Sequence, residues 1–336
     1  CLVMSSELKF SSEVQGCTND LYKKIEGSIP KIEWPTIAPY IYEINKLKKE
    51  KGITILAHNY QAPEIFYGVA DIVGDSLGLA IDGSKVKTDT ILMCGVHFMA
   101  ETAKIMSPEK KILLPDLSAG CSLAESITAE DVRKLKKKHP GVPVVTYVNT
   151  SADVKAETDI CCTSANAVKI VESLNVDEVI FLPDEYLAKY VSTKTKVKII
   201  SWKGKCEVHE QFTENEITEL RVRFPNLKVV SHPECPPDVI KASDFTGSTG
   251  SMIDYVKKSK DKDIFLVTEC SMSDNVQVEN PHINFVKPCN LCPHMKKITL
   301  QKILNSLKEE KNIIEIDKEI ISKARGSIEK MIAVGR

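Results

Sequence analysis

Ile53-Thr54-Ile55-Leu56-Ala57 runs directly into His58-Asn59-Tyr60. Five apolar or β-branched residues followed by a polar cluster read as a buried strand that delivers side chains at its carboxyl end. The same sentence is written twice more. Val142–Thr146 leads into Tyr147-Val148-Asn149, and Leu227–Ser231 leads into His232-Pro233-Glu234.

Working outward, each run is followed by an Asp and, five positions on, by a hydroxyl residue: Asp71 and Ser76, Asp159 and Ser164, Asp244 and Thr249. From cluster start to hydroxyl the separations are 18, 17 and 17 residues (58 to 76, 147 to 164, 232 to 249). A second strand-like run follows at Thr90–Met93, Glu178–Leu182 and Asp263–Val267, and a third at Lys111–Leu114, Val197–Ser201 and Ile283–Val286. Each unit then reaches a cysteine. Cys121, Cys206 and Cys292 lie 85 and 86 residues apart.

Strands alternating with helical stretches imply parallel sheets with right-handed crossovers. The fold class expected is α/β: three repeated αβα units with short parallel sheets, arranged with pseudo-threefold symmetry around a central active site. The expected boundaries are an N-terminal helical segment at 1–38, units at 39–124, 125–210 and 211–297, and C-terminal helices at 298–336. Asn19–Glu50 reads as helix interrupted around Pro30–Pro39. Ligands of parallel sheets bind beyond the carboxyl ends of strands, where the polar clusters and the three cysteines fall.

Composition narrows the function. The 336 residues are 43% hydrophobic and 27% charged with a net charge of −1, which supplies neither a basic stripe for nucleic acid nor a membrane-length apolar run. The N-terminal residues lack the apolar core of a secretory signal, so a cytoplasmic address is expected. Eleven cysteines in a chain this long point to metal binding or catalysis rather than to disulfide staples.

Cys121, Cys206 and Cys292 come from three distant loops and lack the paired Cys-x-x-Cys spacing of a zinc finger. They match an iron–sulfur cluster better. Three ligands on a four-iron cubane leave one iron open as a Lewis acid, which suits dehydration. Cys94, Cys161, Cys162 and Cys270 read as core residues, Cys1 and Cys17 as incidental. Cys289 is close enough in sequence to Cys292 to form a disulfide that would remove a cluster ligand.

Around the cysteines, His58, Tyr60, Tyr147, Asn149, His209, His232 and Glu234 lie at strand ends or beside a cluster cysteine. Histidine and glutamate can move protons near neutral pH, and tyrosine can donate to a developing oxyanion. Ser76, Ser164, Ser248 and Thr249 open helical patterns. They read equally well as anchors for carboxylate or phosphate and as ordinary helix caps. His97, His139 and His282 lack such a context; His294 follows Cys292 closely enough to support it.

These segments resemble the quinolinate synthase family. The strings that carry the likeness include Ala57-His58-Asn59-Tyr60, Gly74-Asp75-Ser76-Leu77, Ala119-Gly120-Cys121-Ser122-Leu123, Tyr147-Val148-Asn149-Thr150-Ser151-Ala152, Cys206-Glu207-Val208-His209, Gly247-Ser248-Thr249 and Cys292-Pro293-His294-Met295. The likeness runs from about residue 35 to 310. It implies condensation of iminoaspartate with dihydroxyacetone phosphate to quinolinate, with loss of phosphate and water, in NAD biosynthesis. It implies a [4Fe-4S] cluster on Cys121, Cys206 and Cys292, and an L-aspartate oxidase or dehydrogenase as the source of iminoaspartate. Tyr60, Tyr147, His232 and Glu234 take catalytic roles by this likeness. His58, Ser76, Asn149, Ser164, His209, Ser248 and Thr249 take substrate-binding ones. Some relatives carry a longer Cys-x-x-Cys-x-x-Cys, whereas this chain has only Cys289-x-x-Cys292. The competing readings are another iron–sulfur dehydratase, a non-catalytic metal or redox sensor, and a zinc protein.

Overall fold

A computed structural model of the chain describes residues 8–286 and 288–336. The three strand-plus-cluster runs form the inner strands of three separate four-stranded sheets. The first sheet comprises β1 (Ile53–His58), β2 (Ile72–Gly74), β3 (Thr90–Cys94) and β4 (Lys111–Leu113). The second comprises β5 (Val144–Tyr147), β6 (Ile160–Cys162), β7 (Glu178–Leu182) and β8 (Lys198–Ser201). The third comprises β9 (Lys228–Ser231), β10 (Phe245–Thr246), β11 (Asp263–Val267) and β12 (Asn284–Phe285). All pairings are parallel, and the strand order is the same in each: β2-β1-β3-β4, β6-β5-β7-β8, β10-β9-β11-β12. The inner strands are buried along most of their length, as parallel strands covered by helices on both faces must be.

The sequence reading found three strands per unit and missed β2, β6 and β10. These edge strands have only two or three residues and follow the repeated Asp at once. The Asp itself explains them. Asp71 donates its N–H to the Ile55 carbonyl (2.8 Å), and its carboxylate accepts the Ile55 N–H (2.8 Å). Asp159 does the same to Val144 (3.1 and 2.8 Å), and Asp244 to Val229 (2.8 and 2.8 Å). Each acid fills the donor of the inner strand that the short edge strand is too short to reach, and so sets the register.

At the N-terminus, helices span Ser12–Ile25 and Trp34–Lys51. The expected break lies at residues 26–33, and Pro39 sits within the second helix, close enough to its start to cost a single backbone hydrogen bond. That helix ends at Gly52, whose φ of 65° turns the chain into β1. Helices Leu300–Glu309 and Lys318–Val334 close the chain, the former packed on Trp34–Lys51 and the latter on β6 and helix Ala152–Ala156. Among the described residues no helix is long and apolar enough to cross a membrane.

The apolar core is unevenly shared. The first and second units and both terminal helical segments contribute to one continuous cluster, including Leu56, Leu92, Val145, Phe181, Leu307 and Met331. The second unit adds a separate cluster around Val144, Ile180 and Leu182, and the third has two, one on each face of its sheet, around Val230, Ile264 and Leu266 and around Val229, Phe265 and Val267.

Candidate active site

The carboxyl ends of the three inner strands converge on one cavity that Cys121, Cys206 and Cys292 all line. The cysteine loops are tied to one another. Ser122 Oγ donates to the Lys205 carbonyl (3.0 Å) and accepts the Glu207 N–H (3.1 Å), joining the first loop to the second. His294 Nε2 lies 2.8 Å from Glu207 Oε1, joining the third to the second. A Cβ on Gly120 would come within 2.8 Å of Glu125 Oε1, the mobile end of an exposed side chain, and 3.7 Å of the His294 ring, which shows how near the first and third loops lie. Behind Cys292, the buried Glu269 accepts the Cys292 N–H (3.4 Å) and pairs with Lys296 (3.1 Å).

Cys289 does not pair with Cys292. It is bonded to Cys270, with a Cα–Cα distance of 5.2 Å, and Cys292 stays free. Cys270 lies just past β11, so the bond fastens the start of the Cys292 loop to its own sheet. Cys94, Cys161, Cys162 and Cys235 are free and fully buried, Cys17 is exposed, and Cys1 lies outside the described residues.

Three thiols, one from each unit, in one half-enclosed cavity are a donor set that fits an iron–sulfur cluster. Burial raises the thiol pKa at all three cysteines, at Cys121 to about 12, so these ligands hold protons until a metal displaces them. Cys206, His209 and Glu234 also bring donor atoms within 4.8 Å of one another. Their contacts are those of hydrogen bonds instead. His209 Nδ1 is 2.8 Å from Glu234 Oε2 and 3.1 Å from Cys206 Sγ. Ligands on one tetrahedral zinc would stand about 3.4 Å apart.

The polar groups form a matched set. His58 Nδ1 accepts the Tyr60 N–H (3.1 Å), and His232 Nδ1 accepts the Glu234 N–H (3.2 Å). Each ring is thereby fixed with its hydrogen on Nε2. Burial lowers the pKa of His58 to about 4 and of His232 to about 3, so both are neutral donors at physiological pH. His232 Nε2 lies 3.3 Å from Ser164 Oγ. Burial pushes the Glu234 carboxyl up, but the charges of His232 and His209 when those rings are protonated, together with hydrogen bonds from His209 and the Tyr147 hydroxyl, hold it below the usual carboxylate range. Burial and that same carboxylate keep the Tyr60 and Tyr147 phenols protonated far above their ordinary value.

Asn149 lines the cavity with its buried Oδ1 unpartnered among the described residues, an acceptor open to a ligand donor. Its loop is held from behind by Lys155. This fully buried lysine donates to the Val148 carbonyl (2.7 Å), to the Thr150 carbonyl and to Thr150 Oγ1 (3.4 Å).

Ser76, Ser164 and Thr249 line the cavity, and Thr249 Oγ1 accepts from Asn59 Nδ2 (2.9 Å). Ser248 does not line it. Its hydroxyl caps helix Thr249–Lys258 by accepting the Ser251 N–H (3.2 Å). The cap of helix Ser76–Gly83 is not Ser76 but Asp75, which also lines the cavity and is gripped by both terminal nitrogens of Arg336 (2.8 and 2.9 Å).

Sequence reasoning missed Asp75, Lys155, Thr268 and Glu269. Thr268 and Glu269 had a signal: they end the apolar run of β11 on the same edge as the polar clusters. That terminus belongs to the second strand of the unit, whereas the polar clusters and the cysteines mark the first and the third.

Comparison with known proteins agrees with this geometry. A family model described as quinolinate synthetase A protein matches residues 42–333. The chain is 56% identical over 326 residues to quinolinate synthase of Sinorhizobium fredii, covering 97% of this chain and 91% of that one. It is 56% identical over 323 residues to quinolinate synthase 2 of Mesorhizobium japonicum, covering 96% of this chain and 100% of the other. With quinolinate synthase of Caulobacter vibrioides it shares 53% over 327 residues, covering 96% and 89%. Taken with three parallel sheets that converge on one cysteine-lined cavity, these matches show that the chain is an enzyme and belongs to the quinolinate synthetase A family.

Proposed function

We propose that the enzyme condenses iminoaspartate with dihydroxyacetone phosphate to form quinolinate, releasing phosphate and water, with a [4Fe-4S] cluster on Cys121, Cys206 and Cys292. The observation that carries this reading is the meeting, in one cavity, of one cysteine from each unit with a linked set of acid–base groups. When bound, the cluster would supply an open Lewis-acidic iron.

The chain's own groups divide the remaining work. The Nε2–H groups of His58 and His232 donate to carboxylate or carbonyl oxygens without adding charge. The hydroxyls of Ser76, Ser164 and Thr249 anchor anionic groups, with Ser248 fixing the helix that carries Thr249. Asn149 Oδ1 accepts from a substrate N–H or O–H. Glu234, ionised between Tyr147 and His209, is the base that removes a proton from carbon. Tyr60 and Tyr147, protonated, are the acids that return protons to departing oxygen. Enclosure in the cavity protects the imine from hydrolysis. The proposed compartment is the cytoplasm, and an L-aspartate oxidase or dehydrogenase is the proposed source of the unstable imine.

Anaerobic purification with iron, sulfide and zinc analysis tests the cluster, and turnover of dihydroxyacetone phosphate with an iminoaspartate source tests the reaction. About four irons per chain, lost in each of Cys121→Ala, Cys206→Ala and Cys292→Ala together with quinolinate formation, is the expected result. One zinc per chain and no iron after reconstitution would overturn the cluster. Four irons without consumption of dihydroxyacetone phosphate would reassign the enzyme to another dehydration.

A further inference from the structure

Eight residues on from the first residue of each polar cluster stand Phe66, Lys155 and Ile240. The middle unit alone puts a charge there. Lys155 lies on helix Ala152–Ala156 and is 0% exposed. Its carbonyl accepts from Ser327 Oγ (3.2 Å) of the last helix, which holds the lysine's own backbone in place. The three hydrogen-bond partners of its ammonium, the Val148 carbonyl, the Thr150 carbonyl and Thr150 Oγ1, are all neutral. They match the three hydrogens an ammonium has to give. Burial lowers its pKa, so the fold holds this charge against its preference for water. A methionine of the same length would fill the space without that cost.

What the three bonds hold is the loop that carries Asn149. They grip the residues on either side of it, Val148 and Thr150. The Thr150 hydroxyl extends the grip by donating to the Tyr147 carbonyl (3.2 Å). In the first and third units a ring does this work from within the cluster. His58 and His232 each accept the N–H of the residue two places on, Tyr60 and Glu234. The corresponding residue of the second unit is Tyr147, which has no ring nitrogen and gives its hydroxyl hydrogen to Glu234. Asn149, two places on, therefore lacks the ring lock that its counterparts have. Lys155 supplies a lock from outside.

We propose that Lys155 is a positioning residue for the reaction, whose ammonium clamps residues 148–150 and so fixes the direction in which Asn149 presents its carboxamide to the substrate. The inference rests on the proposed contact of Asn149 Oδ1 with substrate. Lys155 touches no substrate itself, so its effect runs through Asn149 and vanishes where the carboxamide is gone.

The test is a double-mutant cycle in the iron-loaded enzyme, read as kcat/KM for dihydroxyacetone phosphate. Asn149→Ala and Lys155→Met are each expected to lower it about 10- to 100-fold with iron content kept. The double variant should lie within about threefold of the more impaired single one, whereas a lysine that merely supports the fold would multiply the two losses. Multiplied losses, or wild-type kcat/KM in Lys155→Met beside an impaired Asn149→Ala, would each overturn the proposal. If Lys155→Met fails to fold or to hold iron, Thr150→Val takes its place, since it keeps the shape and removes only the hydroxyl between Lys155 and the Tyr147 carbonyl. It should lose about 3- to 10-fold alone and nothing further in the Asn149→Ala background. Wild-type kcat/KM in Thr150→Val or a multiplied loss in that background would overturn the clamp. A wild-type enzyme that makes no quinolinate, or an unimpaired Asn149→Ala, would strike the proposed function of the site itself and this inference with it.

Discussion

The first and second units share one apolar core with the terminal helices, the second adding a small cluster of its own, while the sheet of the third lies between two separate clusters. What joins the third unit to the others is largely polar. Asn275 Nδ2 donates to the carbonyls of Asn59 (3.1 Å) and Gln61 (2.7 Å), and Tyr67 donates to the Asn275 carbonyl (2.6 Å). Thr249 meets Asn59, His232 meets Ser164, Glu234 meets Tyr147 and Thr268 meets Tyr60. A hollow of about 650 Å³ separates the units along part of this seam, lined by Tyr67, Asp75, Lys257 and Arg336. The contrast teaches that the third unit is seated by the groups proposed to carry out the reaction. Burial of apolar surface is nondirectional, whereas hydrogen bonds specify distance and angle. A seam made of them gives register at the cost of adhesion.

The comparison can be broken most sharply at Glu234. Glu234→Gln replaces one acceptor oxygen by a donor between two donors, Tyr147 and His209. Turnover should fall about 10²- to 10⁴-fold while iron content is kept, measured by kcat and metal analysis on the same sample. Full activity would remove Glu234 from both chemistry and seam.

Next come matched core deletions. Leu56→Ala in the shared core and Leu266→Ala in the third unit should each cost about 2–5 kcal/mol. The difference lies in where the loss is felt. By native-state hydrogen exchange, Leu266→Ala should lower protection in residues of the third sheet only, and Leu56→Ala in both other sheets together. Equal spreading from both sites would mean that the polar seam transmits stability as well as a core does.

Asn275→Ala leaves two buried carbonyls without their donor and should cost about 1–3 kcal/mol in denaturant unfolding. The smallest effect is expected at Arg336. Burial pushes the Asp75 carboxyl up, but the Arg336 hydrogen bonds outweigh it and its pKa lies below the ordinary value. A depressed carboxyl stabilises the fold above its unfolded pKa and loses that contribution as pH falls through the folded one. The half-exposed arginine limits the gain to under about 1 kcal/mol. Arg336→Ala should therefore be slightly less stable than wild type at pH 7 and indistinguishable from it at acid pH well below 3.9, the ordinary Asp value.

Much of this was legible in the chain. The strands announced themselves because parallel strands are apolar on both faces, and the cysteine spacing survived because each loop closes a whole repeat. The edge strands were not legible, since Phe245-Thr246 is too short to show any period. Nor was the role of the repeated Asp, which is played against a backbone donor 15 or 16 residues away. Ser248 and Thr249 could not be separated by pattern, because a cap and a lining residue differ only in which way one hydroxyl turns. The pairing of Cys289 with Cys270 escaped for a related reason: the partner nearer in sequence was favoured over the one brought near by β11 and β12.

The common strand order has a practical consequence. Since the strands run parallel within their sheets and β1, β5 and β9 deliver their carboxyl ends to the cavity, the turns that feed β3, β7 and β11 lie at the opposite edges. Each of those turns is largely open to solvent, at residues 84–89, 172–177 and 257–262. They offer three equivalent places where an affinity tag, a spectroscopic label or a fused domain can be inserted without entering the reaction chamber.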